Sequence, residues 1–177
     1  VSPLIRSRVV KASILNPFRR VYRSLLPLMP MALETLDLRG YDLVISSESG
    51  PAKGVLVSSH ARHICYCHSP MRYIWDQQDE YIQGVAHIPG AAAAIRAMTP
   101  RLRAWDVASA SAAQVDRFVV NSSFVGERVR RFYGRDDWTV VHPPVELERL
   151  VPRLDTGERQ GYLLAAGVLG ALRRRAA

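Results

Sequence analysis

Four short apolar runs, separated by segments long enough to form helices, constrain the fold of this chain more than any other feature. The runs are residues 42–47, 63–68, 117–121 and 138–142. Each is bounded by turn-forming residues, which is typical of strands buried in a parallel sheet. Because such strands alternate with helical segments, the sequence predicts βαβ units: an α/β domain with a Rossmann-like parallel sheet and flanking helices.

Segments before the first run and after the second and third runs have helical composition. The predicted helices are residues 31–38, 72–82, 91–113 and 124–133. Pro100 is expected to interrupt the third helix, because proline removes a backbone donor and clashes with the preceding turn. Ser122 or Ser123 suits the N-cap of the last helix, and Gly134 suits its C-terminal end.

The chain is basic, with 24 Lys and Arg residues against 16 Asp and Glu residues and a net charge of +8. Only Lys11 and Lys53 are lysines, and this arginine bias indicates a GC-rich coding sequence more than nucleic-acid binding. The basic, partly apolar residues 1–40 suit either an anionic membrane surface or connecting helices, and Pro27 and Pro30 favour the second. An apolar content of 48% excludes intrinsic disorder, and no apolar run of about 18 residues exists to span a membrane.

A double proline followed by a polar stretch predicts a boundary between two domains. The expected organisation is a first domain at residues 1–142, a hinge at residues 143–160 and the beginning of a second domain at residues 161–177. The chain starts at Val1 without an export leader, and it stops shortly after the apolar run 162–166. We therefore interpret it as a fragment of a longer protein.

The residues around the second apolar run are the strongest candidates for a functional site. His68 lies at the carboxyl end of its predicted strand, where doubly wound sheets bind ligands, and Arg72 follows four residues later. An imidazole can hydrogen-bond a sugar hydroxyl or transfer a proton, and a guanidinium can neutralise a phosphate. Lys53 also suits a phosphate or sugar contact, although a solvated surface lysine is the simpler interpretation.

A metal site is the alternative interpretation of His63, Cys65 and Cys67, which strand alternation places on one face. Ligands two residues apart on one strand chelate poorly, and the sequence has no second cysteine pair to complete a soft-ligand site. A disulfide between these neighbours is geometrically awkward. We therefore expect two buried, reduced thiols and no metal.

Five phrases of the sequence are notable for their order along the chain. They are YDLVISS at 41–47, AKGV at 52–55, HICYCHSPMRYIWD at 63–76, VVNS at 119–122 and VHPPV at 141–145. This order resembles that of family 4 glycosyltransferases, most closely the bacterial mannosyltransferase-like branch of surface-polysaccharide assembly. The resemblance covers about residues 20–165, and the phrase at 65–76 is its most specific part.

The resemblance implies the N-terminal half of a GT-B fold, in which two Rossmann-like domains face each other across a cleft. It implies a cytoplasmic enzyme, in peripheral contact with the inner face of the cell membrane. That enzyme transfers a hexose, with mannose as the leading choice, from a nucleotide-sugar to a polysaccharide or lipid-linked acceptor. The transfer retains the anomeric configuration and uses no metal or other cofactor.

Particular residues take roles from this resemblance. His68 would match the histidine that contacts the transferred sugar, which makes it the catalytic candidate. The implied substrate contacts are Arg72, Lys53 and Ser122, and the implied hinge is Pro143, Pro144 and Val145. The family's first strand and glycine-rich loop would precede residue 1, and Val168 stands where an arginine would hold the diphosphate. We therefore expect the chain to be inactive alone.

Two other classes of function remain open from the residues themselves. One is a basic α/β module that binds nucleic acid or an anionic membrane, which salt-dependent binding would reveal. The other is a remnant without function, whose uncovered core would make it aggregate.

Overall fold

The computed structural model describes residues 11–18, 25 and 27–145, and the centre of this part is a four-stranded sheet. The strands are β1 (Leu43–Glu48), β2 (Arg62–Cys67), β3 (Arg117–Val120) and β4 (Trp138–Val140). They lie side by side in the order β1-β2-β3-β4, and every neighbouring pair is parallel. The predicted Rossmann-like parallel sheet is confirmed, with each strand within two residues of its predicted bounds.

The carboxyl ends of the strands are level with one another. Glu48 pairs with Cys67, Cys67 with Val120, and Val120 with Val140. Backbone bonding continues one residue further, since the His68 amide donates to the Glu48 carbonyl at 2.7 Å. The segments that leave these strands therefore begin along one common edge, which we call the carboxyl edge.

Among the described residues, four α-helices accompany the sheet. They are α1 (Met29–Glu34), α2 (Gln78–Gly84), α3 (Ala91–Ser109) and α4 (Ser123–Tyr133), with short 3-10 turns at Asn16–Phe18 and Ala52–Gly54. Helix α3 continues through Pro100, so the predicted interruption is wrong. Its alanine-rich first half has high helix propensity, which outweighs the single backbone donor that proline removes. No helix in the described part of the chain is long and apolar enough to cross a membrane.

Residues 72–77 form turns, although the sequence predicts that a helix begins there. The Arg103 guanidinium occupies the carbonyls of Ile74 and Trp75, with Nε–O and Nη2–O distances of 2.6 and 3.4 Å. In a helix these carbonyls would accept the amides four residues later. Because α3 supplies the competing donor, the helix begins only at Gln78.

Helix α4 has the predicted caps at both ends. Ser122 has extended backbone angles, and its Oγ accepts the Val125 amide at 3.4 Å. Gly134 takes a left-handed φ of 66°, and its amide donates to the Arg130 carbonyl. These caps start α4 directly after β3, beside the carboxyl edge.

The core lies between one face of the sheet and α4. Its buried residues are Cys65, Cys67, Ala110, Val115, Phe118, Val120, Val125, Val129 and Tyr133. Burying a side chain such as Phe118 stabilises the fold by about 1.5–3 kcal/mol. On the opposite face of the sheet, Leu43 and Ile45 of β1 are 55% and 65% exposed.

Candidate functional site

His68 lies exposed at the carboxyl edge, directly after β2, and neighbouring strands hold it in place. Its Nε2 is 3.0 Å from Ser47 Oγ, and its carbonyl accepts the side-chain amide of Asn121 at 3.2 Å. The Tyr66 ring meets the imidazole edge to face, with 4.9 Å between the centroids. The ring is therefore fixed in orientation while remaining open to a ligand.

Arg72 lies in the wall of a cavity of about 470 Å³ beside this edge. The remaining lining residues are Met29, Ser47, Glu48, Ser49, Gly50, Pro51, Ala52, Tyr73, Gln77 and Tyr81. We call this space the polar cavity, because it contains an exposed guanidinium and serine hydroxyls. His68 is outside its lining, but Ser47, which hydrogen-bonds His68, is inside it. The structure thus brings Arg72 and the partner of His68 into one cavity.

Lys53 is fully buried, so the interpretation as a solvated surface lysine is wrong. Its Nζ lies 2.5 Å from Asp106 Oδ1 and 3.3 Å from Glu48 Oε1, and its amide donates to Glu48 Oε2 at 2.8 Å. Burial alone would lower the pKa of this ammonium, but the two carboxylates outweigh it and raise the pKa above its ordinary value. The structure places Lys53 behind the polar cavity and outside its lining.

Asp106 of α3 is a functional candidate that the sequence analysis missed. Its Oδ2 accepts the Trp75 indole at 2.8 Å and the Tyr133 hydroxyl at 3.0 Å, while its Oδ1 meets Lys53. We call Glu48, Lys53 and Asp106 the buried charge cluster. One signal was available: Asp106 is an acidic residue among the apolar side chains of a long helix, and a buried carboxylate there needs a partner.

Ser122 also lies at the carboxyl edge, and its hydroxyl is already hydrogen-bonded to neighbouring residues. Besides capping α4, Ser122 Oγ donates to Asn121 Oδ1 at 3.0 Å. Asn121 joins two further groups there, the His68 carbonyl and the His142 ring, whose Nδ1 is 2.9 Å from the Asn121 carbonyl. Asn121 and His142 are edge residues that sequence reasoning did not select, although each is the last residue of a predicted apolar run.

The predicted hinge begins at the last residues that the structure describes. Pro143, Pro144 and Val145 are exposed and follow β4 without regular structure. The chain divides by its internal contacts into residues 1–143 and 144–177. The predicted hinge up to residue 160 and the second-domain residues 161–177, with Val168, lie outside the described residues and stay predictions.

His63, Cys65 and Cys67 are buried on one face of β2, as the strand alternation predicts. Both cysteines are free thiols, and burial raises the pKa of Cys67 to about 12. Burial also lowers the pKa of His63, whose ring bonds Ser46 Oγ and the Gln114 carbonyl. Within the described ranges, no three His, Cys, Asp or Glu side chains are grouped to hold a metal ion.

A second cavity, of about 380 Å³, adjoins the polar cavity. Its lining residues are Pro27, Tyr73, Ile74, Tyr81, Val85, Ile88, Ala91, Ala94, Ile95, Met98, Thr99 and Leu102. We call it the apolar cavity, because most of these side chains are hydrocarbon. Tyr73 and Tyr81 line both cavities, so the two cavities share a wall.

A family model described as Glycosyltransferase Family 4 matches residues 3–149. This range includes the whole sheet, the carboxyl edge and every lining residue of both cavities. No curated protein and no solved structure matches the chain.

Proposed function

The chain belongs to glycosyltransferase family 4, and on that premise we propose that it forms the acceptor-side half of a GT-B enzyme that transfers a hexose. Proteins of such a family act on a sugar donor and an acceptor. We propose a nucleotide-sugar as donor, mannose as the leading choice of hexose, and retention of the anomeric configuration. Support for these finer points comes from the motif at residues 65–76.

The observation that carries the proposal is the exposed, oriented imidazole of His68 next to the polar cavity. Ser47 Oγ and the Glu48 carbonyl hold this residue from β1, and Arg72 lies in the cavity wall. In the proposed reaction His68 hydrogen-bonds a hydroxyl of the transferred sugar, and Arg72 neutralises phosphate charge. Preorganised cationic and hydrogen-bonding groups lower the barrier to departure of an anionic leaving group.

The apolar cavity favours a lipid-linked acceptor over a free polysaccharide. A free glycan has no hydrocarbon to place against Ile95, Met98 and Leu102, whereas a lipid carrier does. Its phosphate and first sugars would then lie in the polar cavity, on the other side of Tyr73 and Tyr81. This arrangement accounts for two adjoining cavities, of which only the polar cavity has charged residues in its lining.

We further propose, from the family resemblance, that the transfer needs no metal or other cofactor. The enzyme would be bacterial and would work in the cytoplasm at the inner face of the cell membrane, with the basic residues 1–40 facing anionic lipid. The chain alone would be inactive, since the nucleotide-sugar would bind mainly to the second domain. Co-sedimentation of the protein with phosphatidylglycerol vesicles that is abolished by salt would support the membrane contact.

Nucleic-acid binding has weaker support than glycosyl transfer. Several arginines in the described part of the chain are already paired with carboxylates. These pairs are Arg62–Asp116, Arg128–Asp76, Arg130–Asp136 and Arg135–Asp137. A phosphate backbone would have to displace these neighbours.

The deciding experiment is a transfer assay on the full-length protein. GDP-mannose, UDP-glucose and UDP-galactose would each be offered with a polyprenyl diphosphate-linked saccharide and with the same saccharide free. We expect transfer to the lipid-linked form, and His68→Ala should reduce turnover at least about tenfold without lowering the melting temperature. His60→Ala is the matched control, because His60 is exposed and bonds only Ser58 and Asp42 among the described residues. Unchanged turnover in His68→Ala would remove His68 from the site.

A further inference from the structure

The buried charge cluster lies directly behind one wall of the polar cavity. Residues 48–52 line the cavity, and the charged groups of Glu48 and Lys53, at the two ends of this turn, are buried. Two groups of Lys53 contact the Glu48 carboxylate: the Lys53 amide donates to Oε2, and Nζ lies 3.3 Å from Oε1. The turn is therefore a short loop, bound at its base by a buried ion pair.

Asp106 ties the base of this loop to two other parts of the molecule. Lys53 Nζ is 2.5 Å from Asp106 Oδ1 and 4.8 Å from the centre of the Tyr133 ring. Asp106 Oδ2 takes the Trp75 indole from the segment after Arg72, and the Tyr133 hydroxyl from α4. Ions withdrawn from water are tolerated only with such close partners, so this geometry resists displacement.

Packing around Gly54 fixes the loop from the other side. A Cβ atom at Gly54 would overlap the Trp105 ring, so only glycine allows α3 to approach this closely. The α3 helix thus contacts the loop at two successive points, Lys53 through Asp106 and Gly54 through Trp105. Loss of either contact would release the residues that form the cavity wall.

The loop is also joined to His68. The Glu48 carbonyl accepts the His68 amide at 2.7 Å, and the preceding residue, Ser47, places its Oγ 3.0 Å from His68 Nε2. A displacement of Glu48 would therefore move two of the contacts that hold His68, one to its backbone and one to its ring. Lys53 is therefore connected to His68 through Glu48, whose carboxylate contacts Lys53 and whose carbonyl accepts the His68 amide. Ser47, the residue before Glu48, contacts the His68 ring.

We propose that Lys53 is a positioning residue: its buried ion pairs with Glu48 and Asp106 hold the end of β1 so that Ser47 and Glu48 orient the His68 imidazole at the polar cavity. This assignment replaces the substrate contact expected for Lys53. It relies on the proposed function only for the role of His68 in the reaction. The contacts that carry it are independent of that reaction.

The test is an NMR measurement on the chain with ¹³C-labelled histidine rings. The His68 cross-peak is assigned by its loss in His68→Gln, and the His60 peak is the internal reference. We expect Lys53→Met to displace the His68 peak by more than its linewidth. Val115→Ala is the control, because Val115 is also fully buried. Val115 precedes β3 and so lies at the end of the sheet away from the carboxyl edge, and its substitution should leave the His68 peak in place.

A second variant keeps the test decisive if Lys53→Met fails to fold. Asp106→Asn preserves the side-chain volume and leaves Lys53 one carboxylate, so we expect a folded chain with a smaller displacement of the His68 peak. A folded Asp106→Asn or Lys53→Met chain whose His68 peak coincides with the wild-type peak overturns the proposal. Because no donor or acceptor is added, this outcome is separate from any failure of the transfer assay.

Discussion

Two groups of polar side chains meet at the end of β1, and they differ in almost every physical respect. The buried charge cluster of Glu48, Lys53 and Asp106 is closed off from water. Ser47, His68 and Arg72, which we call the edge group, lie at or beside the polar cavity, with the imidazole and guanidinium exposed. Ser47 and Glu48 are adjacent in β1, yet Ser47 belongs to the edge group and Glu48 to the buried charge cluster.

The difference teaches how to separate a residue that supports a site from one that contacts the ligand. A buried ion has left water at a cost of several kcal/mol, so its partners are fixed and its removal weakens the whole fold. An exposed cation keeps its water, so its removal changes stability little and leaves binding as the affected property. Lys53 and Arg72 carry the same charge near the same edge, yet only Arg72 is available to a ligand.

The largest expected effect is on the buried side. Lys53→Met leaves two carboxylates without their cation, and we expect the free energy of unfolding to fall by about 3–5 kcal/mol. Urea unfolding followed by circular dichroism measures this change. Lys11→Met is the control, since Lys11 is the only other lysine and is exposed, and it should stay within about 0.5 kcal/mol of wild type. A similarly small change in Lys53→Met would contradict the conclusion that the buried ion pairs of Lys53 stabilise the fold.

A smaller loss is expected when one neutral donor is removed from the same group. Tyr133→Phe keeps the ring beside Lys53 and deletes only the hydroxyl that donates to Asp106, so unfolding should become easier by about 1.5–3 kcal/mol. The measurement is again urea unfolding. Tyr41→Phe, at an exposed tyrosine, should change nothing beyond about 0.5 kcal/mol. Equal values for the two variants would mean that the Asp106 contact adds no stability.

For the edge group the expected effect is on binding. Arg72→Ala should weaken the affinity for pyrophosphate, a simple diphosphate probe, by about tenfold, because a charge-assisted contact is lost. Unfolding by urea should stay unchanged within about 0.5 kcal/mol. Arg96→Ala removes an exposed arginine from α3 and should leave pyrophosphate titrations unaltered. If both variants bind alike, Arg72 is excluded from phosphate recognition.

The smallest effect compares the buried charge cluster with the partly exposed Asp76–Arg128 ion pair by the sign of a pH dependence. Hydrogen bonding from Arg128 lowers the pKa of Asp76 below its ordinary value, so this pair stabilises the fold above about pH 4 and is lost as acid protonates the carboxylate. Burial raises the pKa of Glu48, so its contribution is present at low pH and is lost as pH rises through the folded value. Asp76→Asn should therefore remove at most about 1 kcal/mol at pH 7 and progressively less as the pH falls toward 2.

Unfolding of Asp76→Asn and wild type at a series of pH values measures this difference. Asp79→Asn is the control, since Asp79 is an exposed carboxylate of α2. A stability difference that grows toward low pH would reverse the assigned sign.

The strands were predictable because burial in a parallel sheet leaves a local record, the uninterrupted apolar run. The caps of α4 were predictable for the same reason, since Ser122 and Gly134 act within their own turns. The start of α2 was not, because Arg103 takes the carbonyls that would extend the helix backwards.

The environment of Lys53 was equally hidden. Its partner Asp106 lies 53 residues further along the chain, and neither residue carries a local sign of the other. His68 could be selected from its position at a strand end. Its orientation could not, because Ser47 lies in the neighbouring strand β1 and Asn121 directly follows β3.

The buried charge cluster also limits how this sequence can change over generations. A single substitution at Lys53 leaves two buried carboxylates without their cation. A single substitution at Asp106 removes the acceptor of the Trp75 and Tyr133 hydrogen bonds. Exchange therefore requires coordinated changes at distant positions, which are rarer than single ones. We expect Glu48, Lys53 and Asp106 to covary in descendants of this sequence, while exposed arginines of α3 drift freely.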